Sequence, residues 1–212
     1  MTYRRSRPLL ANLFAITLAI GAAIALAGCG RTAKLDKLDN SATVLAFGDS
    51  LTFGYGAETS ESYPAVLEKL IGRKVVASGV PGEVSQDGLA RLPEVLDEIK
   101  PQLLILCHGG NDFLRKTGEA QAAANVRAMV KLARDRGIAV VLIATPKPGL
   151  SVAPPDFYAE IAQEFKLPFD DGVLRKTLTD NKLKSDYVHP NAKGYALIAE
   201  VIAALLKKSG AV

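Results

Sequence analysis

Between residues 43 and 208, short apolar runs alternate five times with longer stretches whose apolar residues recur at helical spacing. The runs are Thr43-Val44-Leu45-Ala46, Lys74–Ser78, Leu103–Cys107, Ile138–Ala144 and Leu167–Phe169. They lack polar alternation, which is the pattern of strands buried on both faces. Helices are predicted over Tyr63–Ile71, Ser85–Ile99, Glu119–Arg136, Phe157–Phe165 and from Pro190 to about Lys208, with a helical turn or two at Leu174–Leu178. Pro93 allows a break or a second start within the second of these. Strand and helix in alternation mean a parallel sheet with right-handed crossovers and helices on both faces. The expected fold is therefore α/β, a flavodoxin-like three-layer α/β/α sandwich with a five-stranded parallel sheet. Sites in such sheets lie beyond the carboxyl ends of the strands.

The amino-terminal region is of another kind. Arg4, Arg5 and Arg7 precede an uncharged stretch from Leu9 to Gly30, the layout of a secretory signal or membrane anchor. Leu26-Ala27-Gly28-Cys29 resembles the lipobox of bacterial lipoproteins, which implies cleavage after Gly28 and lipidation of Cys29. The alternative is an uncleaved signal anchor with an incidental cysteine. The expected organisation is a signal peptide over 1–28, a lipidated cysteine and tether over 29–42, and one domain over 43–212. Such a protein sits in the bacterial cell envelope, anchored through its lipid and facing the periplasm. Gly30 in place of aspartate leans towards the outer membrane. The formal charge of +4 for the full chain becomes +1 once the three arginines of 1–28 are removed. The basic balance thus belongs to the signal, and no basic patch with interleaved aromatics points to nucleic acid.

With two cysteines and two histidines, a Cys/His metal site is not expected. Cys107, within an apolar run, is expected to be a buried small hydrophobe.

The distinctive residues fall at strand ends. Phe47-Gly48-Asp49-Ser50-Leu51 follows the first strand, Gly79 the second, and His108-Gly109-Gly110-Asn111-Asp112 the third. A serine on a sharp turn after a central strand can act as a nucleophile if a base takes its proton. His189 follows Asp186 by three residues, close enough for the carboxylate to fold back onto Nδ1 and leave Nε2 for the serine. The same spacing also arises where an aspartate merely caps a helix start. His108 is the rival base, but no acid is spaced to orient it, so a packing or supporting role is expected. Asn111 offers a side-chain amide to a developing oxyanion, and the backbone N–H groups of Ser50 and Gly79 offer two more. Gly79 and Gly109 could equally be turn glycines.

Together these blocks resemble the SGNH/GDSL hydrolases, in particular the thioesterase I / lysophospholipase L1 / arylesterase branch. Asp87-Gly88-Leu89-Ala90-Arg91-Leu92-Pro93 and Pro190-Asn191-Ala192-Lys193-Gly194-Tyr195 carry the likeness further. The resemblance covers about Thr43 to Leu206. It implies Ser50 as nucleophile, Ser50, Gly79 and Asn111 as oxyanion hole, His189 as general base then acid, and Asp186 as its orienting partner. It implies acyl transfer to water through an acyl-serine, on a small acyl ester or lipid, without metal or cofactor. Deacetylation of envelope carbohydrate is an alternative within the same chemistry. A flavodoxin-like binding lipoprotein would explain the glycines of 48–56 but neither Asn111 nor the Asp186/His189 pair. The chain departs from the family pattern at Cys107-His108, and the loop 147–156 is short. Arg115 and Lys116 could meet an anionic head group or simply be solvated.

Overall fold

The computed structural model describes residues 33–149 and 151–212. The calls on 1–28 and on Cys29 lie outside these residues. Five strands form one parallel sheet in the order β2-β1-β3-β4-β5. They are β1 (Thr43–Gly48), β2 (Lys74–Gly79), β3 (Leu103–Cys107), β4 (Ala139–Ile143) and β5 (Phe169–Asp170). The chain leaves β1 for β2 on one side and then returns to place β3 on the other, so a switch point lies between β1 and β3. The expected three-layer α/β/α sandwich is the observed fold.

The helices are α1 (Ser50–Phe53), α2 (Tyr63–Ile71), α3 (Ser85–Ile99), α4 (Gly110–Arg115), α5 (Glu119–Asp135), α6 (Phe157–Glu164), α7 (Val173–Thr179) and α8 (Ala192–Ser209). Strand periodicity divides the core into two layers. Val44, Ala46, Leu103, Ile105, Val141 and Ile143 face α2, α7 and α8, where they meet Leu67, Leu174, Ile198 and Ile202. Leu45, Phe47, Leu104, Leu106, Val140 and Leu142 face α3, α5 and α6, where they meet Leu92, Met129 and Ile161. Each fully buried aliphatic side chain contributes roughly 1.5–3 kcal/mol. That balance explains Pro93. It lies inside α3, and the helix runs through it, because burial of Leu92 and Leu96 on either side offsets the roughly 3 kcal/mol a mid-helix proline costs.

Three differences from the sequence reading have physical causes. Residues 108–112 read as a loop after the third strand, but from Gly110 the chain forms the short helix α4. β5 begins at Phe169 rather than Leu167. The segment 33–42 is not a free tether. The Leu35 and Leu38 N–H groups donate to Ser209 and Ala211, Leu38 is buried, and Arg73 and Gln102 bond to Asp39. Apolar residues at 35, 38 and 42 give that segment a face to bury.

At the start of α8, Asn191 caps the helix by accepting from the N–H groups of Lys193 and Gly194. A Cβ at Gly194 would overlap the Leu183 carbonyl and stand 2.6 Å from Thr177 Cγ2. Gly194→Ala is therefore expected to destabilise the fold by about 1–3 kcal/mol, seen as a lower urea midpoint with unchanged slope. An unchanged midpoint would mean that the loop carrying Leu183 yields freely.

Candidate active site

The end of β1 is built for close approach. A Cβ at Gly48 would overlap the Cys107 carbonyl and the Thr52 hydroxyl, so only glycine lets the chain turn there. Asp49 then caps α1 through Leu51 N–H, and Gly54 in the left-handed region ends it after one turn. Ser50 is thereby held at the amino end of a helical turn, beyond the carboxyl edge of the sheet.

The histidine arrives on a compact loop before α8. Ser185 donates through its N–H and Oγ to the His189 carbonyl, and Lys184 bridges to Pro190. Asp186 Oδ1 accepts from the N–H groups of Val188 and His189, which turns Oδ2 onto His189 Nδ1 at 2.8 Å. His189 Nε2 lies 3.0 Å from Ser50 Oγ. The Tyr55 ring packs tilted against the imidazole, with ring centroids 4.6 Å apart and planes at 43°. Its carbonyl accepts from the Tyr195 hydroxyl. Partial burial alone would raise the Asp186 carboxyl, but the hydrogen bonds from the His189 ring and Val188 N–H outweigh it and hold the group below its ordinary value. An ionised carboxylate only accepts, so Nδ1 carries the proton and Nε2 presents a lone pair to the Ser50 hydroxyl. This is the arrangement that can draw a proton from serine.

Asn111 reaches the same place from β3. It lies in the first turn of α4, and its Nδ2 donates to the Glu83 carbonyl at 3.0 Å and to Asp49 Oδ2 at 3.3 Å. Ser50, Asn111 and His189 line one cleft of about 810 Å³. Leu114, Val152, Leu178 and Val188 supply apolar wall, and Lys147 and Lys184 supply charge.

Gly79 does not join them. It closes β2 opposite Gly48, and its Cα faces the backbone of Asp49 and Phe53, so its lack of a side chain serves the packing of α1 on β2. Of the two glycines at and after the end of β2, Gly82 is the one that lines the cleft. It has φ +78° in a turn closed by Glu83 N–H on the Val80 carbonyl, and its own carbonyl accepts from Arg115. The dipeptide Pro81-Gly82 carried the signal, since a turn of that type needs positive φ at its third residue. Arg115, exposed at the surface, thus bonds to the protein itself.

His108 is fully buried, away from the cleft. The expectation that no acid orients it is overturned: Glu83, distant in sequence, places Oε2 3.1 Å from Nε2. Nδ1 accepts from Gly109 N–H at 2.9 Å, so the ring proton sits on Nε2 and points at Glu83. Arg91 grips the same carboxylate through Nε at 2.9 Å and Nη2 at 2.8 Å. Burial by itself would raise the Glu83 carboxyl; the bonds from His108 and Arg91 outweigh this and bring it down to about 2. Cys107 is buried, and burial pushes its thiol up, away from thiolate reactivity. Among the described residues no three His, Cys, Asp or Glu side chains gather as a metal site requires.

Because the Glu83 carboxyl lies below its ordinary 4.5 in the fold, its contribution to stability is complete above about pH 4.5 and fades as pH falls towards 2. The stability gap between the wild type and Glu83→Gln should therefore be constant near neutrality and narrow across that window in urea titrations at stepped pH. A gap independent of pH down to 2 would contradict the assignment.

Comparison with known proteins now bears on this geometry. A family model described as the GDSL-like Lipase/Acylhydrolase family matches residues 46–197. The esterase TesA of Pseudomonas aeruginosa is 36% identical over 131 residues, which span 59% of this chain and 65% of that esterase. The arylesterase of Vibrio mimicus is 30% identical over 179 residues, 79% of this chain and 90% of its own. Among solved structures, the crystal structure of TesA superposes with a TM-score of 0.69 at 28% identity, covering 78% of this chain and 98% of that one. The SGNH-hydrolase family esterase AlinE4 does so with a TM-score of 0.62 at 28% identity, covering 82% and 98%.

Proposed function

The chain belongs to the GDSL-like lipase/acylhydrolase family, and on that premise we propose that it is a serine esterase cleaving carboxylic esters and thioesters through an acyl-serine intermediate. The observation that carries this reading is the line Asp186–His189–Ser50, with links of 2.8 and 3.0 Å, opening into a cleft with apolar walls. Relatives named esterase and arylesterase support it.

In this reading His189 Nε2 takes the Ser50 proton as Oγ attacks the carbonyl carbon. Asp186 keeps the imidazole in the required tautomer and stabilises the imidazolium. The negative charge on the substrate oxygen meets the Ser50 N–H, the Asn111 amide and, in place of Gly79, the Gly82 N–H. Collapse of the tetrahedral intermediate breaks the bond to the leaving oxygen or sulfur, which receives the proton from His189. Water then attacks the acyl-serine, with His189 as base again, and releases acid and free enzyme. The apolar cleft favours an acyl or aryl ester, including a lipid, over an acetylated sugar, whose hydroxyls would need polar partners.

We also propose that the chain is an envelope lipoprotein, lipidated at Cys29 after removal of residues 1–28, facing the periplasm and retained at the outer membrane. The support is the sequence alone: a basic start, an apolar run and Leu26-Ala27-Gly28-Cys29. Two or more acyl chains hold a protein stably at a bilayer.

On a p-nitrophenyl ester series from acetate to palmitate, the full chain in detergent should turn over, and Ser50→Ala or His189→Ala should lower kcat/KM by about four to six powers of ten. Asp186→Asn should lower it by about four. An organophosphonate should label the wild type at Ser50, one per chain. Near wild-type turnover in Ser50→Ala would refute Ser50 as nucleophile, and no turnover of any ester by the wild type, with no labelling, would return the binding-protein alternative. For the anchor, Cys29→Ser should abolish palmitate incorporation in cells and move the protein out of the membrane fraction; labelling that persists would refute it.

A further inference from the structure

A primary amide has two N–H bonds to give. On Asn111 one goes to the Glu83 carbonyl at 3.0 Å and the other, longer, to Asp49 Oδ2 at 3.3 Å. Both partners are acceptors, so the nitrogen rather than the oxygen of the amide must face them. The shorter bond anchors the group; the longer one is the N–H free to swing onto a substrate oxygen. The aim of that N–H therefore depends on where the Glu83 carbonyl stands.

The Glu83 backbone is held from its own side chain. Its carboxylate takes two bonds from Arg91 and one from His108. Arg91 is fixed in turn by Ser78 Oγ at 2.6 Å and by lying 4.2 Å over the Phe47 ring. His108 is fixed by Gly109 N–H on Nδ1 and by the Tyr158 hydroxyl on its carbonyl. Room for the imidazole comes from Gly88, where a Cβ would overlap Nε2. Arg91 and His108, each fixed in its own place, thus clamp a carboxylate that does not line the cleft.

We infer that Glu83 is a positioning residue for the reaction: clamped by Arg91 and His108, its main-chain carbonyl holds one N–H of Asn111 so that the other points where substrate oxygen becomes negative. This rests on the reading of Asn111 as an oxyanion donor. His108 acts through Glu83, as a neutral donor from Nε2, and touches no substrate.

The test is a double-mutant cycle on the full chain with p-nitrophenyl butyrate. Asn111→Ala alone should lower kcat by about 10²–10³. Glu83→Gln should lower kcat about tenfold with KM unchanged, the scale on which outer partners of a catalytic group act. In the Asn111→Ala background Glu83→Gln should have no further effect, because the group it positions is gone. His108→Gln, which keeps an N–H towards Glu83, should retain several times more kcat than His108→Leu, and that difference too should vanish without Asn111. An effect of Glu83→Gln of equal size in both backgrounds, or one falling on KM alone, overturns the proposal. If Glu83→Gln does not fold, the two His108 variants decide, and equal kcat in them overturns it. Failure of the underlying reading shows separately, as an Asn111→Ala enzyme with undiminished kcat.

Discussion

A side chain at residue 48 would collide with the Cys107 carbonyl and the Thr52 hydroxyl, so β1 and β3 can end side by side only through a glycine. That close approach is what the site depends on. It drops Asp49 into the gap between the two strand ends, where it is almost fully buried. There one carboxylate oxygen caps α1 and the other meets Asn111. Burial raises the Asp49 carboxyl, against the hydrogen bond from Leu51 N–H. One residue at the wall of the cleft therefore couples the turn that carries the serine to the turn that carries the amide.

Around that point the loops are fastened by polar groups more than by apolar ones. Asp112 accepts from the Ser85 N–H and hydroxyl, and Asn125 donates to the same hydroxyl, so α3, α4 and α5 meet at a buried node. Among the described residues no buried side-chain nitrogen or oxygen lacks a partner. Such networks are costly when incomplete and rigid when complete. Rigidity matters here because dipoles aimed in advance at a developing charge need no reorganisation during the reaction. The histidine loop follows the same logic by a local route, with Asp186 and Ser185 folding six residues onto themselves.

The legible parts of the sequence were those with short-range signatures. Continuous apolar runs and helical spacing identified the sheet and the main helices, because burial imposes them on neighbours in sequence. Ser50 could be read from the turn that follows β1, and Asp186 with His189 from a three-residue interval. Residues whose meaning is set by distant partners were not legible. Glu83 carried no signal in the sequence, because His108 and Arg91 come to it from other elements. Gly79 was credited with Gly82's position because both follow the run 74–78, and only the three-dimensional turn separates the one that packs on α1 from the one that lines the cleft. Residues 33–42 read as solvated on composition, since three spaced apolar residues are a weak signal until a surface is there to receive them.

That last segment also sets where the chain's ends lie. Leu35 and Leu38 pair with Ser209 and Ala211, and Asp39 sits by the residues that lead into β2 and β3, at the amino edge of the sheet. Ser50 and Asn111 sit at the carboxyl edge, one strand length away, roughly 20 Å for six residues. The two ends of the folded unit are thus neighbours at one pole, and the mouth of the cleft opens at the other. The domain can be held, fused or immobilised by either end without obstructing access. The same adjacency suits circular permutation, since a short linker could join residue 212 to residue 33 and leave new ends to be cut in an exposed loop.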